Sequence, residues 1–249
     1  MSVPAVVEAF DIVKDFRQGA TWVRALNCVT LTLNAGELTL LMGPSGSGKT
    51  TLLSILGCIL TGTSGTVRIA GEAVDGLDPE RLANLRRRHV GFIFQSYNLF
   101  PTLTALENVQ IALDVRGVRW VDALAKAEAA LKEVGLAPKL RSYPRRLSAG
   151  EQQRVAIARA LAGAPSVILA DEPTAALDSE NGHAVMALLA RIARVRGRAV
   201  LAVTHDTRTH AFADRIIHIE DGRIVGEERR AHALDHATVD STRKNGSHN

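Results

Sequence analysis

A short, mostly apolar run, Leu38–Met42, leads directly into Gly43-Pro44-Ser45-Gly46-Ser47-Gly48-Lys49-Thr50-Thr51, and helix formers continue to Leu56. No other feature constrains the chain so tightly. A buried strand that feeds a helix through a glycine-rich turn predicts an α/β unit, and the turn itself has chemical meaning. Its glycines let successive backbone N–H groups wrap a phosphate, while the N-terminus of the following helix faces the same negative charge. Lys49 is spaced to reach β- and γ-phosphates, and the Thr50 hydroxyl to ligate Mg²⁺. At average residue frequencies the pattern arises by chance in about one chain in a hundred of this length. The strand before it and the helix after it make a fortuitous turn the weaker reading.

Other runs of buried-strand length, Val90–Phe94, Val167–Ala170 and Ala199–Val203, alternate with helical patterns such as Ser179–Val195. That alternation predicts an α/β fold with a mostly parallel central sheet. Val6–Val13, Leu26–Leu33 and Thr66–Ala70 predict a smaller antiparallel β subdomain. Ile216–Ile219, Asp221-Gly222 and Arg223–Val225 read as a closing hairpin. Between Asn98 and Gly150 strand signals vanish and helix formers dominate, above all Val121–Val134, which marks an inserted α-helical subdomain. We therefore expect one nucleotide-binding domain over 1–226, with a core of about 1–96 and 155–226 and a helical subdomain of about 97–154. A loosely ordered polar tail is expected over 227–249.

Composition excludes several function classes. The longest apolar stretch, near Leu52–Leu60, is broken by Ser54 and Gly57 and falls short of the roughly 20 residues that a membrane span needs. The first residues lack the basic start and apolar run of a signal peptide, so the chain is expected on the cytosolic side. Its net charge of +4 comes from scattered basic residues apart from Arg86–Arg88 and Arg145-Arg146, and aromatics make up only 4%. Without a stacking platform, no direct nucleic-acid partner is expected. Arg86–Arg88 reads as the end of a surface helix. Cys28 and Cys58 are too few for a disulfide framework or metal cluster, and both are expected to pack as small reduced apolar groups.

Val167–Ala170 ends in Asp171-Glu172. Asp171, at the strand's C-terminal end, is placed to face Mg²⁺ through water. Glu172 is placed to orient and deprotonate an attacking water. Exposed acids at a strand end are common, and only the phosphate loop upstream makes this pair functional.

Those two elements are shared by many phosphate-loop (P-loop, RecA-like) NTPases. Leu147-Ser148-Ala149-Gly150-Glu151-Gln152-Gln153-Arg154, standing before a helix and upstream of the acidic strand, is more selective. It resembles the signature of ATP-binding-cassette (ABC) ATPases. Gln95, Asp178 and His205 match that family's Q-loop, D-loop and H-loop in order and spacing, and the resemblance runs from Val6 to Val225. It implies ATP and Mg²⁺ as ligands and a dimer that sandwiches two ATP molecules. Ser148, Ala149, Gly150 and Glu151 of one subunit would complete the ATP site of the other. It further implies that Gln95 contacts Mg²⁺ and the attacking water, that His205 bonds the γ-phosphate, and that Asp178 lies at the dimer interface. Lys49, Gln95, Glu172 and His205 would be the catalytic group. Phe16 stands where related cassettes carry an adenine-stacking aromatic; a core Phe is the alternative reading, and Trp22 competes.

The signature departs from the usual pattern at Ala149, in place of Gly, and at Glu151, in place of Gln. One adds a methyl near a tightly packed site, and the other brings a negative charge toward ATP. Arg86–Gln95, Asn98–Asn108 and Asp214–Gly222 resemble the macrolide-export, lipoprotein-release and heterocyst glycolipid-export group, with the glycolipid-export cassettes nearest through Ala170–Asp178 and Asp214–Gly222. The resemblance implies an ATPase docked peripherally on the cytoplasmic face of the inner membrane. Its partners would be integral-membrane permease subunits and a periplasmic adaptor. A regulatory cassette of the cell-division type, acting through a permease-like partner without transport, is the alternative. A soluble DNA- or ribosome-acting cassette ranks below both, because such chains carry paired cassettes or a long coiled coil.

Overall fold

The computed structural model describes residues 5–230. Two long strands come first, β1 (Ala5–Gln18) and β2 (Thr21–Asn34). Next are β3 (Leu38–Met42), α1 (Lys49–Leu56), β4 (Ser64–Ile69), β5 (Glu72–Ala73), α2 (Pro79–His89) and β6 (Val90–Ile93). Three helices come after β6 without an intervening strand: α3 (Ala105–Asp114), α4 (Trp120–Glu133) and α5 (Ala149–Leu161). The chain continues through β7 (Val167–Asp171), α6 (Ser179–Arg196), β8 (Ala199–Val203), β9 (Arg215–Glu220) and β10 (Arg223–Arg229).

The strands form two sheets. One is antiparallel, in the order β2-β1-β4-β5; the other runs β10-β9-β3-β8-β7-β6 and is parallel except for β10. Alternation along the parallel strands divides the core. Leu38, Leu40, Ile168, Ala170, Val200 and Ala202 face one apolar cluster, while Leu41, Val167, Leu169, Ala199 and Leu201 face the other. Both faces are covered, as a parallel sheet requires. The first cluster also takes in Val109 of α3, Ala127 and Leu131 of α4, and Val155 and Ile157 of α5. The helices between β6 and β7 therefore share the sheet's core instead of building one of their own. Each fully buried leucine there contributes roughly 2 kcal/mol.

Local chemistry sets the element ends. The turn between β9 and β10 puts Asp221 at φ 45° and Gly222 at φ 72°, the pattern of a two-residue hairpin turn. Thr104 and Glu107 cap α3 reciprocally. Fully buried Asn108 then accepts from the Phe100 N–H and donates to the carbonyls of Phe100, Leu103 and Thr104. Arg159 of α5 donates to the carbonyls of Tyr97 and Asn98. The irregular segment after Gln95 is thus held from two sides.

Two expectations change. Cys58 is buried, but Cys28 is exposed, at φ 55° where β2 bulges from its register with β1. As expected, Arg86–Arg88 ends a surface helix, α2, with Arg87 and Arg88 exposed, and its guanidinium groups also bind the chain. Arg86 donates to the Cys58 carbonyl, Arg87 to Asn84 and the Val115 carbonyl, and Arg88 to Glu72. Residues 227–229, expected in the polar tail, lie in a strand. β10 runs to Arg229, because the Glu227 carboxylate takes two hydrogen bonds from the buried Arg215 guanidinium, at 2.8 and 2.6 Å. The remainder, 231–249, lies outside the described residues. No helix among the described residues is long and apolar enough to cross a membrane.

Candidate active site

The site starts where β3 ends. Gly43 leaves the strand and would not tolerate a side chain: an ideal Cβ would fall 2.0 Å from the Ile219 carbonyl oxygen of β9. Gly48, at φ 97°, is pressed in the same way by the Ala25 carbonyl oxygen of β2, at 2.6 Å. Neighbouring strands therefore demand these two glycines, a reason beyond the wrapping of phosphate. Gly222 of the β9–β10 turn clamps the loop, donating its N–H to the Ser47 carbonyl at 3.1 Å and accepting from the Asn27 N–H at 2.8 Å. Gly46, at φ 83°, faces open space. The Ser47 hydroxyl is buried without a partner. Lys49 folds over the loop, its Nζ donating to the carbonyls of Gly43 and Pro44 at 2.9 and 2.7 Å.

The C-terminal ends of the parallel strands supply the rest. Asp171 closes β7, and its Oδ1 lies 3.4 Å from Thr50 Oγ1. Burial raises the Asp171 pKa; the Thr50 hydrogen bond and the Lys49 charge oppose that, and the Glu172 charge adds to it. Glu172 turns out of the strand at φ 47°, with its N–H bonded to the Val203 carbonyl at 3.0 Å. Its Oε1 lies 2.9 Å from Nδ1 of His205, which stands just past β8. Gln95 stands just past β6. Gln95, Asp171, Glu172 and His205 line one cavity of about 620 Å³ together with Gly43–Gly46, Gly48–Thr51, Ala25 and Val203. That volume falls in the range of small-molecule and cofactor sites.

The donors suit a hard cation that takes its other ligands from phosphate and water. Among the described residues no group of three or more His, Cys, Asp or Glu could hold a metal alone. Thr50, Gln95 and Asp171 offer oxygens only, which is the Mg²⁺ pattern and not that of zinc.

The structure does not bring every candidate residue to this cavity. Ser47, Ser148, Ala149, Gly150, Glu151, Asp178 and Phe16 are not in its lining. Ser148 caps α5 in a reciprocal box: its Oγ accepts from the Glu151 N–H at 3.2 Å, and its own N–H donates to Glu151 Oε2 at 2.9 Å. Lys139 Nζ stands 3.3 Å from the same carboxylate. The Ser148 bond holds the Glu151 carboxyl below the usual range, and Lys139 and Arg154 add to this. The charge expected to press on ATP is thus turned back into its own helix cap. Exposed Ala149 opens α5, and buried Gly150 comes next. Asp178 caps α6, accepting from Asn181 N and Nδ2 at 2.9 and 2.8 Å. Phe16 is exposed on the β1–β2 hairpin with Lys14 Nζ 5.1 Å from its ring centre, and Trp22 on the facing strand is more exposed still. Sequence reasoning missed Ala25 and Val203 as cavity walls, and it missed Asn181. Only Asn181 left a local signal, the Asp178-x-x-Asn181 spacing of a helix cap.

The ABC transporter family profile matches residues 26–175, which takes in the phosphate loop, Gln95, the Ser148–Glu151 segment and Asp171-Glu172. The chain belongs to the ABC transporter family. The ATP-binding domain of this family hydrolyses ATP. The cassette is 46% identical over 242 residues to the macrolide export ATP-binding/permease protein MacB of Salmonella paratyphi A, covering 95% of this chain and 37% of MacB. Against MacB of Shigella flexneri it is 47% identical over 220 residues, 88% of this chain and 34% of that protein. It therefore spans about a third of the length of these curated relatives. A dimeric structure of the bacterial ABC transporter cassette MJ0796 superposes with a TM-score of 0.82 at 41% identity, covering 91% of this chain and 100% of that one. A second MJ0796 structure, a post-hydrolysis state bound to ADP and Pi, matches equally well. Both sheets and the helices between β6 and β7 thus belong to an ABC cassette with a P-loop core.

Proposed function

We propose that two copies of this cassette clasp two Mg·ATP molecules, hydrolyse them, and so drive a separate membrane permease of the export type. One observation carries the reading. The phosphate loop shares its cavity with Gln95, Asp171, Glu172 and His205, whereas Ser148 and Gly150 stand outside it, so each chain holds two complementary halves. The dimeric MJ0796 cassette and the fusion of ATP-binding and permease parts named in MacB support the pairing and the partner.

In this reading the loop N–H groups and Lys49 bind the β- and γ-phosphates, with Lys49 leaving the Gly43 and Pro44 carbonyls to do so. Thr50, Gln95 and Asp171 hold the Mg²⁺ site, Asp171 through water; the cation supplies charge to neutralise the phosphates. Glu172 takes a proton from the attacking water, and His205 fixes that carboxylate and meets the γ-phosphate. Phe16 stacks on the adenine. From the partner copy, Ser148 and the N-terminus of α5, with Ala149, Gly150 and Glu151, close on the nucleotide. Asp178 lies at the interface. The helical segment 97–154 carries the permease contact, and the assembly sits on the cytoplasmic face of the inner membrane with a periplasmic adaptor beyond.

The test uses Glu172→Gln, which should retain ATP binding and stop hydrolysis. With Mg·ATP it should accumulate as a dimer and co-purify a permease and an adaptor from gently solubilised membranes. A cell-wall-hydrolase regulator in their place selects the division-type alternative. A chain that stays monomeric with saturating Mg·ATP in the presence of solubilised membranes sinks the reading.

A further inference from the structure

The nucleotide cavity uses the C-terminal ends of β6, β7 and β8. A second cavity, of about 500 Å³, opens at their N-terminal ends, where Arg88, Ala164 and Arg198 stand just before the three strands begin. Arg87 of α2, Arg116 after α3, and Lys126 and Glu133 of α4 complete its charged wall, so five cations face one carboxylate.

Part of that charge is already compensated. Glu72 holds Arg88 through two hydrogen bonds of 2.9 and 2.8 Å. Arg87, by contrast, has only uncharged acceptors, Asn84 and the Val115 carbonyl. Arg116 donates through Nη2 to the Val90 carbonyl at 3.3 Å, and its Nη1 is buried with no acceptor. The fold makes room for that guanidinium, because an ideal Cβ on Gly163 would fall 0.9 Å from Arg116 Nη1. Burial also pushes the Arg116 pKa below its ordinary value. Among the described residues no ion pair reaches Arg87, Arg116 or Lys126. A buried charged donor left without an acceptor is unfavourable, and an anion entering the cavity would relieve it.

We propose that this second cavity binds a phosphate-type oxyanion, with Arg116 and Arg87 as the fork-shaped donors and Lys126 at the rim. Guanidinium groups match the spacing of phosphate oxygens, and an ammonium adds a point charge. The volume exceeds that of a single phosphate, so it accommodates an organic phosphate, whether a soluble phosphomonoester or a lipid headgroup.

The experiment keeps the whole nucleotide site, γ-phosphate position included, occupied with a saturating non-hydrolysable Mg·ATP analogue, so that only a second site responds. One arm titrates the full chain calorimetrically with inorganic phosphate at constant ionic strength. The other measures binding to phosphatidylcholine vesicles with and without phosphatidic acid. Saturable binding is expected in at least one arm, weakened about tenfold or more by Arg116→Gln and by Lys126→Ala. Lys126 is exposed on α4, so its variant remains informative if Arg116→Gln fails to fold. Binding of inorganic phosphate assigns a soluble ligand, and binding confined to phosphatidic acid vesicles assigns a headgroup. Absence of saturable binding in both arms, or binding that neither folded variant weakens, overturns the proposal.

Discussion

Asn181 Oδ1 lies 2.5 Å from the point where a Cβ on Gly150 would stand, and the same side chain donates through Nδ2 to Asp178. The start of α5 and the cap of α6 are therefore packed through one carboxamide. Gly150→Ala should lower stability by about 1–3 kcal/mol through overpacking, and Asn181→Ala by about 1 kcal/mol through its lost hydrogen bonds. Combining them should restore part of the loss, since the alanine methyl then finds space. Denaturant unfolding of the four proteins reads this; simple addition of the two effects would show that the contact is not the cause.

Glu151 acts here as a cap. Glu151→Ala should cost about 1 kcal/mol at pH 7. Because the folded-state pKa is held low, that contribution is present above the ordinary glutamate value of about 4.3 and is lost as pH falls through the folded value. The stability gap between parent and variant should therefore close between pH 5 and pH 2 (roughly the window this direction implies). A gap unchanged at the acid end would mean the charge is not what the cap uses.

Two truncations distinguish the end of β10 from the residues beyond it. Ending the chain after Gly226 removes Glu227 and leaves the buried Arg215 guanidinium with only the Thr32 carbonyl, 2.6 Å away. A loss of roughly 1–3 kcal/mol is expected. A chain ended after Arg230 should keep both its stability and its ATPase rate. Equal melting temperatures for the two truncations would refute the role given to Glu227.

The two thiols should react unequally. Burial pushes the Cys58 thiol up to about 11, so little thiolate forms near neutrality, while Cys28 stands in solvent. Iodoacetamide at pH 8 should modify one cysteine in the native chain, Cys28, and both in denaturant. Mass spectrometry that finds Cys58 labelled first would contradict this packing.

His205 and Glu172 should behave as one unit. Glu172→Gln and His205→Ala should each lower the ATPase rate by about 10²-fold or more, with nucleotide affinity within a few-fold. The double variant should be little slower than the slower single one. Multiplicative losses would mean that the 2.9 Å contact is incidental to catalysis.

Where information is local, the sequence carried it. The phosphate loop, the runs that became β6, β7 and β8, and the Asp221-Gly222 turn each depend on neighbours in the chain, and each could be read there. Cys28 could not, since its exposure results from a bulge set by pairing with β1. Glu227 looked like the start of a polar tail because its reason for being in a strand is Arg215, on the strand before. The glycines of the loop were legible as glycines, but only the fold reveals that the carbonyls of Ile219 and Ala25 press on two of them. Lys139, which offsets Glu151, stands on a separate short turn with nothing in its spacing to announce it.

β3 has a consequence for how such a chain is made. The strand that delivers the phosphate loop pairs with neither the strand before it nor the one after; its neighbours are β8 and β9. A chain growing from the ribosome therefore exposes its glycine-rich loop long before the wall at Ile219 and the clamp at Gly222 are synthesised. Until then only the Ala25 carbonyl of β2 is there to shape the loop, so binding of nucleotide is a property that the polypeptide should acquire late.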